Sequence, residues 1–140
     1  MHPRGVLRRD VRAAIEGGAG FAGITVLVSW AQSVDAETLP VLGVFTPRER
    51  SRKASSTDVL RDTDVAVQLR RAGGDELEDL LDDDSALIEA LVLPVLAAHG
   101  AGDHQLELTD IEISGEGARR IGKLNMTFRA ARFTSEGSPE

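Results

Sequence analysis

The apolar residues of this 140-residue chain change period near its middle, and that change limits the folds open to it. From Leu60 to Arg71 they alternate, with Val65, Val67 and Leu69 on one parity and Asp64, Ala66, Gln68 and Arg70 on the other. This is the pattern of a strand with one face in a core. Beyond Gly73-Gly74, residues Leu77, Leu80, Leu81, Leu87, Ile88, Leu91, Val95 and Leu96 recur at helical spacing. Asp75 stands where an N-cap belongs, and acids crowd the first turn, where the helix dipole favours them. Pro94 is expected to kink or end this helix near its last turn, and His99-Gly100 to close it.

The flanks extend the pattern. Leu7, Val11, Ala14 and Ile15 predict an opening amphipathic helix that stops at Gly17-Gly18. Ile24 to Trp30 alternates and is dense in β-branched residues, which predicts a first strand; Trp30 at its end reads as a core lid. Gln32 to Thr38 reads as a loop, and Leu39 to Phe45 as a strand buried on both faces. After the long helix, Leu106 and Leu108 occupy one parity and Ile111 and Ile113 the other, a slip that places a β-bulge near Thr109-Asp110. Ser114 to Gly117 is the expected turn, and Ile121 to Phe133 the last strand, with Leu124, Met126, Phe128 and Ala130 inward. The order α-β-β-β-α-β-β, without βαβ alternation, predicts an α+β fold: a mostly antiparallel mixed sheet with two helices packed on one face. Residues 1–134 form one expected domain and 135–140 a flexible C-terminal tail, with fraying from Thr134.

Size and chemistry narrow the function. A chain of this length suits one core that buries roughly 70% of the unfolded surface. Cysteine is absent, which removes disulfides, thiolate metal sites and cysteine nucleophiles, and a reducing compartment fits. The apolar stretch Ala86 to Ala98 is broken by Glu89 and Pro94 and is far shorter than the roughly 20 residues a membrane span needs. Asp10, Arg12 and Glu16 interrupt the apolar region that a signal peptide would need after Arg4, Arg8 and Arg9, so the N-terminus reads as that of a mature protein. A formal charge of −7 opposes general phosphate-backbone binding and favours solubility. That charge is unevenly placed. Arg48, Arg50, Arg52 and Lys53 against Glu49 give a local +3, whereas Asp75, Glu76, Glu78, Asp79, Asp82, Asp83 and Asp84 give −7.

Motifs for catalysis are largely missing. Gly18-Ala-Gly20-Phe-Ala-Gly23 fits a G-x-G-x-x-G string, but it follows a helix and precedes a strand, the reverse of the dinucleotide-binding context. Asp82, Asp83 and Asp84 are consecutive on a helix, about 100° apart, and do not converge on one cation. His99, Asp103 and His104 form the one grouping that resembles a metal or acid–base site, although a histidine at a helix C-terminus more often serves the dipole. No G-x-S-x-G, H-E-x-x-H or P-loop string occurs. Tyrosine is absent, and one Trp with four Phe is little for stacking bases or sugars. The cations at 48–53 lack interleaved aromatics, so a solvated loop or a protein contact suits them better than nucleic acid. The chain reads as a non-enzymatic subunit without cofactor.

The opening Leu7-Arg-Arg-Asp-Val-Arg-Ala-Ala-Ile15 helix, Leu39-Pro-Val-Leu-Gly-Val-Phe45 before a polar stretch, the strand Thr63 to Leu69, Glu89-Ala-Leu-Val-Leu-Pro-Val-Leu96 and the strand Leu124 to Phe128 together resemble the minor tail protein U family of lambda-like phages. These are tail terminators. The resemblance covers about Val6 to Phe133 and rests on element order and apolar spacing, with Pro40 and Pro94 as landmarks. The Gly17 to Gly23 link is shorter than the family leads one to expect, and the extension after Phe133 has no assignable counterpart. The resemblance implies a monomer that forms a hexameric ring on the head-proximal end of the tail tube of a phage or phage-derived particle, such as a gene transfer agent. Assembled in the bacterial host cytoplasm, the ring would stop tube growth and dock the head completion or connector protein, with DNA passing unread through its lumen. Another neck, tail-completion or head–tail joining protein is the nearest alternative, and a small metal-dependent enzyme on His99, Asp103 and His104 a more distant one.

A head-to-tail ring needs two different complementary patches on each subunit. The charge pattern offers Arg48, Arg50, Arg52 and Lys53 as one, and Asp75, Glu76, Glu78, Asp79, Asp82, Asp83 and Asp84 of a neighbour or of a tail protein as the other. Thr46 to Thr57 is nearly devoid of apolar residues, so the sequence predicts a loop that orders only against a partner. On that reading, replacing its four cations by Ser would change stability by about 0.5 kcal/mol or less.

Overall fold

The structure is a computed structural model that describes residues 1–28, 39–100, 102–116 and 119–139. Helix α1 spans Pro3–Glu16 and is followed by a single 3-10 turn, Ala19–Phe21, and the short strand β1, Thr25–Leu27. Strands β2, Val41–Lys53, and β3, Asp58–Gly73, precede helix α2, Leu77–His99, and strands β4, His104–Glu116, and β5, Arg119–Ser135, complete the chain. The order is α-β-β-β-α-β-β, as the periodicities predict. The five strands lie in the order β1-β2-β3-β5-β4, with β1 parallel to β2 and every other pair antiparallel. Trp30 and the Gln32–Thr38 stretch lie outside the described residues. Among those residues no helix is long and apolar enough to cross a membrane.

Register explains the core. Leu42 pairs with Leu69 and Val44 with Val67, while Val65, Val67 and Leu69 face Phe128, Met126 and Leu124. All these side chains are buried, and they meet Leu7, Val11 and Ile15 of α1 and Leu77, Leu81, Ile88, Val92 and Leu96 of α2 in one cluster. Both helices therefore cover one face of the sheet. Gly122 is the point of closest approach: a Cβ there would stand 2.6 Å from the Leu81 side chain and 3.2 Å from Leu77, so its lack of a side chain lets α2 settle on β5. Leu80 and Leu87, expected at core spacing, are exposed instead, because the buried stripe runs through Val92 and Asp84.

Several boundaries differ from the sequence reading. Helix α1 begins on Pro3, whose missing N–H costs nothing in a first turn, and the His2 imidazole caps it by accepting from the Arg4 N–H at 3.1 Å. Asp75 is not the N-cap of α2; Glu76 holds that place, without a side-chain cap bond. The helix continues through Pro94 to His99 and ends at Gly100, whose N–H donates to the Leu96 carbonyl. The irregularity in β4 lies between Leu106 and Leu108, ahead of the expected Thr109-Asp110, and Ser114 to Glu116 belong to β4 and not to a turn. Thr134 and Ser135 belong to β5, after which the chain turns back: Ser135 bridges Ser138, and the Glu136 N–H donates to the Thr57 carbonyl at 2.8 Å.

The largest correction concerns Thr46 to Thr57. Strand β2 runs through this stretch to Lys53, and the chain reverses only between Ala54 and Thr57, where the Ser55 hydroxyl accepts from the N–H of Asp58 at 3.0 Å. Order arises here from backbone pairing, not from apolar burial. Strands β3 and β5 extend together past the helices, from Thr63↔Ala130 to Asp58↔Ser135, and supply β2 with a ready partner. One face of this arm is also held by polar side chains. Thr63 donates to Glu49 at 2.8 Å, and Arg61 donates to Thr134 at 2.8 Å and Ser51 at 3.2 Å. A register shift between Phe45 and Arg48 leaves Pro47 at an irregularity, where the lack of an N–H is tolerated.

Candidate functional site

A strand's period of two divides the basic stretch that looks continuous in sequence. Arg48, Arg50 and Arg52 pair in register with Asp64, Asp62 and Leu60 and share the sheet face that carries no helix among the described residues. Lys53 lies on the other parity with Glu49 and Ser51, and its ammonium is 3.2 Å from Glu136. Three exposed arginines thus form one row along the outer strand of the arm. Arg50 lies 3.9 Å from the buried Asp64 carboxylate, whereas Arg48 and Arg52 have no ion pair among the described residues.

The acidic stretch divides as well. Asp75, Glu76, Glu78, Asp79, Asp82 and Asp83 are exposed around the start of α2, and Asp75 is 3.8 Å from Arg120. Asp84 does not belong with them. It is 6% exposed, sits on the core stripe between Leu81 and Ile88, and accepts from Arg71 of β3 at 2.8 and 3.1 Å. This bidentate pair fixes α2 to the sheet and is closed to a partner. The sequence carried the sign of it, since position 84 continues the spacing of Leu77, Leu81, Ile88 and Val92.

The two charged surfaces are at opposite ends of the subunit. Arg50 is level with Asp62, and β3 runs from there to Gly73, beside the start of α2, a distance of roughly 36 Å at about 3.3 Å per residue. They also flank opposite faces, because α2 covers the face that the arginine row avoids. They cannot neutralise one another within a subunit.

The grouping of His99, Asp103 and His104 is dispersed by the fold. His99 Nε2 is 2.7 Å from Asp10 Oδ2 on α1, and this contact, with a smaller contribution from Arg9, holds the Asp10 carboxyl below the usual aspartate range. Asp103 accepts from Arg129 at 3.2 Å, and the buried Nδ1 of His104 has no hydrogen-bond partner among the described residues. Among those residues no three metal-binding side chains converge. Sequence reasoning missed Arg129, which faces Asp62 at 3.1 Å, Asp103 at 3.2 Å and Glu107 at 3.1 Å and so ties β3 and the start of β4 to β5. Its signal was a lone cation on the outward parity between Phe128 and Ala130.

The glycine string is a packing device. Phe21, in the turn it forms, is buried; a Cβ on Gly18 would come within 2.6 Å of Leu91, and one on Gly20 would overlap Leu87. A hollow of about 380 Å³ on the helix-free face is lined by Gln68, Arg70, Asp110, Glu112, Lys123 and Asn125, which carry charges of both signs. No protein-family model and no curated protein matches the chain.

Proposed function

We propose that this protein is a tail terminator, a subunit that rings the head-proximal end of a phage or phage-derived tail tube, halts its growth and presents the docking surface for the head. The separation of the arginine row from the acidic start of α2 carries the reading. Opposite charges on opposite ends and faces cannot pair within a subunit, so each is left for contact with a neighbouring copy or with a tail or head protein, as a ring-forming assembly subunit requires. A net charge of −7 supports a monomer at low concentration, with assembly on a template. The family resemblance rests on the element order that the chain has, and the helix-free face, with Gln68, Arg70, Lys123 and Asn125 on it, would give a ring a largely polar surface past which DNA can move without being read.

The test is electron microscopy of the protein mixed with purified tail tubes. A ring at one end of each tube, with tube elongation blocked, is the expected result. Binding to the portal side but not to isolated tubes would assign the chain to another neck protein. Sedimentation of the free protein should give a monomer, and a stable dimer with a large apolar interface would contradict the template-driven assembly.

A further inference from the structure

Two sheet edges in this molecule have opposite charge and the same outward face. Among the described residues, β1 covers only Val41–Gly43 of β2, which leaves the outer edge of the arm, Arg48–Lys53, unpaired. Strand β4 forms the far edge of the sheet. Between His104 and Glu116 it holds Glu107, Asp110, Glu112 and Glu116 and no Lys or Arg. Glu107 is 3.1 Å from Arg129 of its own subunit, but Asp110 and Glu112 have no ion pair among the described residues. They lie two apart and share the helix-free face with the arginine row, since Glu112 pairs with Lys123 and Asp110 with Asn125 on the outward parity of β5.

We infer that the arm edge of β2 in one copy pairs with the β4 edge of the next, so that the sheet continues around the ring. This inference rests on the ring reading and commits the arginine row to a neighbouring copy, which leaves the acidic start of α2 for a tail or head protein. Direction agrees: β4 runs antiparallel to β2 within the sheet, so a neighbour brought round by rotation presents an antiparallel β2 to β4. Register follows from the side chains. With Arg48 opposite Glu112, Arg50 faces Asp110, and the stem of Arg52 covers Leu108, an apolar side chain left 53% exposed. On the other face Ser51 meets Thr109. Sliding the arm down beside β4 requires the stagger that any closed sheet imposes.

Specificity has the same origin. Two β2 edges would set arginine against arginine and two β4 edges acid against acid, so two-fold self-pairing is opposed and only the unlike pairing is favoured. Charge, Pro47 and the two register shifts protect both edges from indiscriminate strand addition.

The chain has no cysteine, so one engineered pair reports the contact cleanly. Facing residues on antiparallel strands lie about 4.5–5.5 Å apart at Cα, within disulfide reach. Under oxidation on tail tubes, protein carrying both Arg48→Cys and Glu112→Cys should form an intermolecular ladder, while either single variant stays uncross-linked. As a second measure, Arg48→Glu and Glu112→Arg should each weaken ring formation about tenfold, and the two together should restore it to within about twofold. Rings on tubes without a ladder, and indifferent to charge reversal, would overturn the edge pairing and leave the terminator reading intact. A ladder without tube capping would support the edge pairing and overturn the terminator reading. Cross-linking of the Arg48→Cys variant alone would show two-fold self-pairing and overturn the proposal.

Discussion

The Asp84 carboxylate of α2 accepts two hydrogen bonds from the Arg71 guanidinium of β3, at 2.8 and 3.1 Å, from a position that apolar residues would otherwise fill. The acid is almost wholly buried and the guanidinium about three-quarters so. Removing one partner leaves the other desolvated without compensation, whereas removing both leaves an apolar contact. Asp84→Ala should destabilise by about 2–3 kcal/mol, below the value for a fully buried pair, and Asp84→Leu with Arg71→Met should recover most of the loss. Chemical denaturation of the single and double variants measures this, and equal losses in both would argue against the pairing.

His99 and Asp10 join the end of α2 to α1, and the lowered Asp10 pKa sets the sign of its pH dependence. A carboxylate whose folded value lies below its unfolded one binds fewer protons when folded. Its contribution is complete above the unfolded pKa and is lost as pH falls through the folded value. The effect therefore falls below about pH 4, the usual aspartate range. Both side chains are about one-third exposed, so solvent screening holds the contribution to about 1 kcal/mol or less. Asp10→Asn should remove that part of the acid dependence and leave the rest of the curve in place, as unfolding titrations between pH 2 and 7 would show.

Gly122 and Gly20 both lie against leucines of α2, but in unlike surroundings. A methyl on Gly122 meets Leu81 and Leu77, both buried, so Gly122→Ala is expected to cost about 1–3 kcal/mol through overpacking. A methyl on Gly20 meets the free end of Leu87, which is exposed and can turn away. Gly20→Ala should cost less than about 1 kcal/mol. Thermal unfolding of the two variants gives the comparison, and the reverse ranking would refute this account of the packing.

Elements whose side chains face the core were legible in the sequence, because burial leaves a period. Leu7, Val11 and Ile15 mark α1, and Leu124, Met126 and Phe128 mark β5, in the places the spacing predicts. Position 84 is ambiguous in sequence because composition and phase disagree there: an acid among acids looks solvated, although it lies on the apolar stripe. The arm is hidden in the sequence for another reason. Thr46 to Thr57 carries no apolar signal, and its order comes from β3 and β5, whose partners are remote in sequence. The arginine row was visible as charge, but only the strand period separates Lys53 from it.

That correction alters the expectation for the arm itself. A loop would lose all four cations at a cost of about 0.5 kcal/mol, but in β2 Arg50 is the nearest cation to Asp64, which is buried and has one oxygen without a hydrogen-bond partner among the described residues. Replacing Arg48, Arg50, Arg52 and Lys53 together by Ser should therefore destabilise by about 1–2 kcal/mol, chiefly through the carboxylate left without its counter-charge. A variant that keeps Arg50 and replaces the other three should stay within about 0.5 kcal/mol of the parent, since those side chains are exposed. Incorporation into tails should fall in both variants and recover with neither, because encounter and register depend on the whole row. Raising salt should weaken assembly of the parent in the same direction, as screening reaches exposed charges first. The measurement is denaturation and tail incorporation side by side for the two variants. Equal stability would remove the Arg50–Asp64 relationship, and normal incorporation of the variant that keeps Arg50 would show that the row does not dock.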